Sequence, residues 1–471
     1  MLDSLRRRIP PELAVLTALS ALTRFWALFT PRVPMFDETT YQKFTADYLA
    51  HVFYVDVHPP LAEQLYALWA HLFHISAASL AHPDPAPVMR VLPALAGTLV
   101  VPVLYLLLRQ LSAPRRVAAF GAALLLFDNA LVAESRILVP DSMLLLFALS
   151  AVTAFLSARR RAGGARGRRL GVAALFAGLA VATKWTGLSA LGIIGLIWLV
   201  DAWRARDGWG RAAREGVLLV GVPVALYLAV FAVHFAWMTH SGPGDMWMSP
   251  RFRATLAGDQ FYKPGATMPF YARFAELNVV MRRADAFFVG KENPAASPWY
   301  SWPVIRHPIE FWAGEKLPDG RQGAVFLAGN PVVWYGILIG LGAGLLGLAW
   351  RRRDFTAWRD PLAVLAVGYV ANFLPFALIR RLMYQYSYFM ALAYSAALAA
   401  LAVGILAGWA AAPVDAGDPG WSFPSRRSAA LYWGLLAAVI LGFIYYSPIT
   451  YGWPISPEAF QMRFWLIQRH F

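Results

Sequence analysis

Cysteine is absent from this 471-residue chain. Disulfides, thiolate nucleophiles and cysteine-bound metals are therefore excluded, and every loop must hold itself by packing and hydrogen bonds. Charge is scarce too. Only 15% of residues are Asp, Glu, Lys or Arg, where a soluble domain carries roughly a quarter. Acids are the rarer sign, 27 against 42 basic residues, so a carboxylate in so apolar a chain needs a chemical or structural reason. The nine histidines take no ligand spacing such as HExxH. A metal is not demanded, although Asp37, Glu38 and His58 together offer the donor types for one. No internal repeat is visible, which argues against a transporter built from inverted halves. The net charge of +15 does not point to nucleic acid, because no basic soluble module is present. The arginines fall instead in short loops between apolar runs, as in a membrane protein drawn to anionic membrane lipids.

What the chain has is apolar sequence, 59% of it, in runs close to the ~20 residues that cross a bilayer. The expectation is an all-α polytopic membrane protein, a single membrane domain over residues 1–471 with about eleven transmembrane helices. Arg6–Arg8 precede an apolar run at 13–29 that Arg24 interrupts without a cleavage site. That reads as an uncleaved first helix with a cytoplasmic N-terminus. Further spans are expected near 88–108, 117–127, 141–158, 170–183, 188–200, 217–237, 331–350, 361–379, 384–410 and 429–446. Arginines near 109–116, 159–169, 204–214, 351–353 and 426–427 mark the cytoplasmic side, leaving the C-terminus extracytoplasmic. Two long extracytoplasmic loops follow, 30–87 and 238–330. In the first, residues 41–53 and 61–75 read as interfacial helices. The second is rich in Trp, Tyr and Pro, and a connection that long is usually functional.

The chemistry-bearing residues gather on one expected face. Phe36-Asp37-Glu38 places two acids just after the first span, and Asp56-Val57-His58-Pro59-Pro60-Leu61 follows about twenty residues later. In extended chain neighbouring side chains point to different sides, so one acid can be a general base and the other an anchor. Pro59 and Pro60 stiffen the backbone around His58, which is then a rigid strut or a ligand. Arg136, Lys184, Arg380 and Arg381 depart from the cytoplasmic bias. Such cations either snorkel to headgroups or bind a lipid phosphate, for which arginine supplies paired donors. Arg381, Arg136 and Lys184 are the candidates for that phosphate site, with Arg380 flanking it.

These residues carry a resemblance. Phe36-Asp37-Glu38 through His58-Pro59-Pro60-Leu61 resembles the first luminal loop of the protein O-mannosyltransferases, within the GT-C glycosyltransferase superfamily. Glu134-Ser135-Arg136 with Asp141-Ser142, Lys184-Trp185-Thr186-Gly187, Gly329-Asn330-Pro331 and the stretch from Arg381 through Tyr384 and Tyr388 are similar to later elements of that family. The resemblance implies a GT-C fold, a polyprenyl-phosphate-mannose lipid donor and a Ser/Thr hydroxyl of an acceptor polypeptide, with no cofactor. It places Asp37 as the catalytic base and Glu38 as the neighbouring essential acid. Arg136 and Arg381 then lie near the donor phosphate, and Tyr384 and Tyr388 at aromatic positions. The reaction would sit at the extracytoplasmic face of a multi-pass cell-membrane protein. The chain departs from the family pattern in three places. A lysine after His-Pro-Pro-Leu is replaced by Ala62-Glu63, a His-His by Tyr386-Ser387, and a proline by Met390. The second loop is also too short for the β-trefoil MIR domain of eukaryotic members. A related transferase that moves another sugar onto a lipid, as in lipid A modification, would share the acidic first loop.

Overall fold

A computed structural model describes residues 10–81, 87–205, 209–287, 289–414, 421–465 and 467. Arg6–Arg8, Arg206 and the last four residues, on which part of the topology reading rests, lie outside the described residues. Pro11 opens the first helix, α1 (Pro11–Phe25), where its missing N–H costs nothing. The first loop then forms α2 (Glu38–Leu49) and α3 (Leu61–Leu72), near the two expected interfacial helices. Next come α4 (Val91–Gln110), α5 (Arg115–Leu126), the short α6 (Asn129–Glu134), α7 (Asp141–Arg159), α8 (Gly163–Thr183), α9 (Leu188–Ala205) and α10 (Trp209–Trp237). The second loop carries α11 (Phe270–Ala286) and a hairpin of β1 (Ile309–Lys316) and β2 (Gln322–Leu327). The chain ends with α12 (Pro331–Trp350), α13 (Arg359–Phe373), α14 (Phe389–Leu406), α15 (Arg426–Tyr451) and α16 (Pro457–Phe464).

A helix occupies each of the expected spans. Among the described residues, eight are long and apolar enough to cross a membrane by length and composition. The other three are α1, α5 and α8. The first two rise only about 22 and 18 Å, and the start of α8 carries Arg166, Arg168 and Arg169. The helical fold also holds the antiparallel hairpin, which helix-period reading does not anticipate. Its strands pair from Ile309 with Leu327 to Lys316 with Gln322. The Pro318-Asp319-Gly320 turn closes it, with Gly320 at φ 79°, a conformation glycine adopts without penalty.

Small residues let the later helices pack closely. Helix α14 is alanine-rich and buried along most of its length. Gly368 of α13 lies so near the Tyr394 ring that a Cβ there would clash with it. Asn330 and Asp128 join the two halves of the bundle. Asn330 caps α12 through Val332 N–H, and its amide donates to the carbonyls of Phe127 and Val439, each at 2.9 Å. Asp128 caps α6 and accepts from Asn330 N–H and from Trp334 Nε1 at 2.6 Å. The Gly-Asn-Pro element is therefore a structural clasp. The cluster of acids and cations described next lies at the helix ends opposite the arginine loops, since α7 starts at Asp141 and ends at Arg159, while α8 runs from the arginines to Lys184.

Candidate active site

Asp37 and Glu38 part company at the start of α2. Phe36 adopts φ 51°, a left-handed turn costly for a bulky residue. It is held there by its N–H, which donates to the Phe311 carbonyl at 3.0 Å, and by ring stacking on Phe311 at 4.8 Å. The turn sends Glu38 inward and leaves Asp37 on the water-accessible side. Glu38 is fully buried and paired with Arg90, whose Nε and Nη2 donate to its two carboxylate oxygens at 2.9 and 2.6 Å. Those oxygens also accept from the N–H groups of Met35 and Leu138. Arg90 spends its remaining donors on the carbonyls of Pro31 and Val33. Glu38 thus has no face for a substrate. Its expected role as a second catalytic acid gives way to that of an anchor that fixes the loop bearing Asp37.

Arg136 likewise departs from expectation. It is buried, and its Nη atoms donate to the carbonyls of Arg24, Trp26 and Ala27, while its guanidinium lies 4.7 Å from the Tyr451 ring centre. These are carbonyls at the end of α1, which a cation satisfies well. Arg136 caps a helix and is not turned toward a phosphate. Tyr388 is also buried, packed between Trp334 and Phe373, so it belongs to the core.

The remaining candidates converge. Lys184 sits between α8 and α9, and its Nζ donates to both oxygens of Asp141 at 2.9 and 2.7 Å. The ammonium also lies 5.3 Å from the Tyr386 ring centre. Tyr386 stacks on Tyr384 at 5.5 Å and meets Phe36 edge-on at 6.2 Å. The Asp37 carboxyl feels both Lys184 and Asp141. Tyr384 feels both Asp37 and Arg381, and His58 both Lys184 and Arg381. Asp37, His58, Lys184, Tyr384 and Arg381 are thus near enough to feel one another's charge. Burial raises the Asp37 carboxyl above the usual carboxylate range; Lys184 opposes the rise and Asp141 adds to it. His58 is pushed well below its ordinary value by burial and by the two cations, so at neutral pH it is an uncharged hydrogen-bonding group. Pro59 and Pro60 are buried behind it and lead into α3. Arg380 is exposed beside Arg381. Asp37, Glu38 and His58 do not converge as metal ligands, because Glu38 is turned to Arg90.

Beneath His58 lies a second acidic pair. Glu63 is fully buried with no hydrogen-bond partner for either carboxyl oxygen, and it feels the nearby charge of Asp56. Two neighbouring carboxyls do not both ionise readily in so dry a place. Burial first, then Asp56, raises Glu63 well above its usual value, and burial raises Asp56 to about 6. A carboxyl whose folded value is raised stabilises the fold while protonated, and that contribution is lost as pH rises through the folded value. Glu63→Gln keeps the shape and is always neutral. The thermal midpoint of wild type in detergent is therefore expected to fall more steeply on the alkaline side than that of Glu63→Gln. Parallel pH curves would show that the pair shares no proton.

Two family profiles match the chain. That of the dolichyl-phosphate-mannose-protein mannosyltransferases covers residues 14–239, and that of the C-terminal four-transmembrane region of protein O-mannosyltransferases covers residues 270–469. The chain belongs to the protein O-mannosyltransferase family. Protein O-mannosyltransferase 1 of Drosophila pseudoobscura pseudoobscura is 34% identical over 261 residues, 51% of this chain and 28% of the relative. Dolichyl-phosphate-mannose--protein mannosyltransferase 1 of Candida albicans is 32% identical over 266 residues, 53% of this chain and 30% of the relative. The chain thus aligns with less than a third of the length of these two relatives. Among solved structures, the S. cerevisiae Pmt1-Pmt2 complex bound to the sugar donor matches with a TM-score of 0.86 at 18% identity, over 97% of this chain and 92% of that one. ArnT from Cupriavidus metallidurans bound to undecaprenyl phosphate matches at 0.54 and 16% identity, over 96% and 76%. The shared fold is GT-C.

Several residues around the site of this family member escape sequence reading. Arg90 lies at the start of an apolar span and is not singled out by the sequence, yet it is the partner of Glu38. Asp141 matches a family element but gives no hint that it neutralises Lys184. The signal for Glu63 was present, as an acid where the family pattern has lysine. Its pairing with Asp56 arises because residues 56 and 63 lie on either side of the His-Pro-Pro turn.

Proposed function

We propose that this protein transfers mannose from a polyprenyl-phosphate carrier to Ser or Thr hydroxyls of polypeptides at the extracytoplasmic membrane face. What supports this reading is a water-accessible Asp37 that feels Lys184, in a group of residues that also feels Arg381. The acceptor oxygen attacks the anomeric carbon while Asp37 takes its proton. The bond from that carbon to the phosphate oxygen breaks, and the polyprenyl phosphate departs with the electron pair. Arg381 receives the growing charge through its guanidinium. Lys184, already paired with Asp141, adds a smaller positive field. A single displacement inverts the anomeric centre, with no second carboxylate needed as nucleophile. A general base contributes about 10²–10⁴-fold, so alignment and phosphate stabilisation supply the rest. The relatives' names and the shared fold support the same donor and acceptor classes.

Reconstituted protein given polyprenyl-phosphate mannose and a Thr-containing peptide tests this reading; a lipid A acceptor is the control. Label on the peptide supports it, and label on the lipid alone overturns it. In the same assay Arg381→Ala is expected to raise the donor KM about 10–100-fold, the loss of a charge-assisted contact. A normal donor KM removes Arg381 from the phosphate site.

A further inference from the structure

Asp285 has no part in the proposed chemistry, yet it is the residue that grips Arg381. Its Oδ1 lies 2.9 Å from Arg381 Nε. The Nη atoms of Arg381 make no hydrogen bond among the described residues, and the side chain is about one-third exposed. Asp285 is the penultimate residue of α11, where an acid works against the helix dipole. Its place is not explained by helix stability. The surrounding backbone makes the same connection twice more. Val289 bridges to Arg381 in antiparallel fashion, and Ser297 N–H donates to the Met383 carbonyl at 2.9 Å. Helix α11 is itself fixed, because Leu277, Val280 and Met281 pack into a cluster with Tyr48, Phe231 and Phe252. A rigid element thus presents one carboxylate to the Nε edge of one arginine.

We propose that Asp285 is a positioning residue: it holds Arg381 by Nε so that both Nη donors face the phosphate of the lipid donor. This rests on the reading of Arg381 as a phosphate ligand. It gives the second long loop a defined task, to complete the donor side of the site from 96 residues away in sequence. Arg381 and Asp285 are each about one-third exposed, so the pair contributes little to folding. Substitution there should leave a folded protein.

The test is binding of undecaprenyl phosphate to purified protein, followed by donor kinetics. Asp285→Asn is expected to weaken binding and raise the donor KM about 2–5-fold, the scale of one lost, partly exposed ion pair. The kcat at saturating donor should also fall, because Arg381 takes the leaving charge as well, while the thermal midpoint should hold, and Asp285→Glu should recover part of the affinity. The double variant Asp285→Asn/Arg381→Ala should bind no worse than Arg381→Ala alone, because the first residue acts only through the second. Unchanged or tighter binding by Asp285→Asn overturns the proposal, the latter by making Asp285 a competitor of the phosphate. So do additive losses in the double variant. A wild type that binds undecaprenyl phosphate but never transfers mannose overturns the proposed function while the binding comparison still decides the role of Asp285. A wild type that does not bind it overturns both.

Discussion

Asp37→Asn is expected to lower mannose transfer by about 10²–10⁴-fold, the contribution of a positioned general base, while donor binding stays intact. Asparagine keeps the size of the side chain and its place at the start of α2, but it cannot take a proton. The environment adds a pH signature. Burial lifts the Asp37 carboxyl above its ordinary value, which brings its basicity closer to the working pH. Transfer by wild type should therefore fall on acidification, starting at a higher pH than an unperturbed aspartate would give. The residual rate of Asp37→Asn should lack that acid limb. A variant that keeps wild-type turnover, or keeps the acid limb, shows that the proton goes elsewhere.

The second large effect belongs to the fold. Glu38 and Arg90 bury their charges together, with side chains 0% and 1% exposed. Removing one partner strands the other in a dry interior, at a cost of about 3–5 kcal/mol. That is a large part of the roughly 5–15 kcal/mol that holds an ordinary domain. Arg90→Leu and Glu38→Gln are expected to reduce the yield of monodisperse protein in detergent and to lower its thermal midpoint sharply. The molecules that do fold should still transfer mannose. Two adjacent acids are thereby separated: one variant is folded and inactive, the other poorly folded and active. A well-folded, inactive Glu38→Gln would return Glu38 to the chemistry.

Apolar period and arginine placement carry helix positions reliably, because burial in lipid and in protein both demand the same side chains. Each of α4, α7, α12 and α15 begins within a few residues of where the apolar run begins. The hairpin of residues 309–327 is less visible, since its strands are short and mixed, although the Pro-Asp-Gly turn between them is a recognisable closing signal. At the site, the sequence marks which residues are unusual but not what they face. Asp37, His58, Lys184 and Arg381 stand out as polar groups out of place, and the fold brings them within reach of one another's charge. Arg136 stands out for the same reason and faces three carbonyls at and just beyond the end of α1 instead. Partners as distant as residues 38 and 90, or 285 and 381, are set by tertiary packing, which no local spacing records.

The most direct measurement pairs two readouts on two variants in one membrane preparation: undecaprenyl phosphate binding and mannose transfer to a Thr peptide. If the acid and the cation work from opposite sides of one site, Asp37→Asn binds the lipid phosphate like wild type and does not transfer, whereas Arg381→Ala loses lipid binding. Equal loss of binding in both variants, or transfer by Asp37→Asn, contradicts the account.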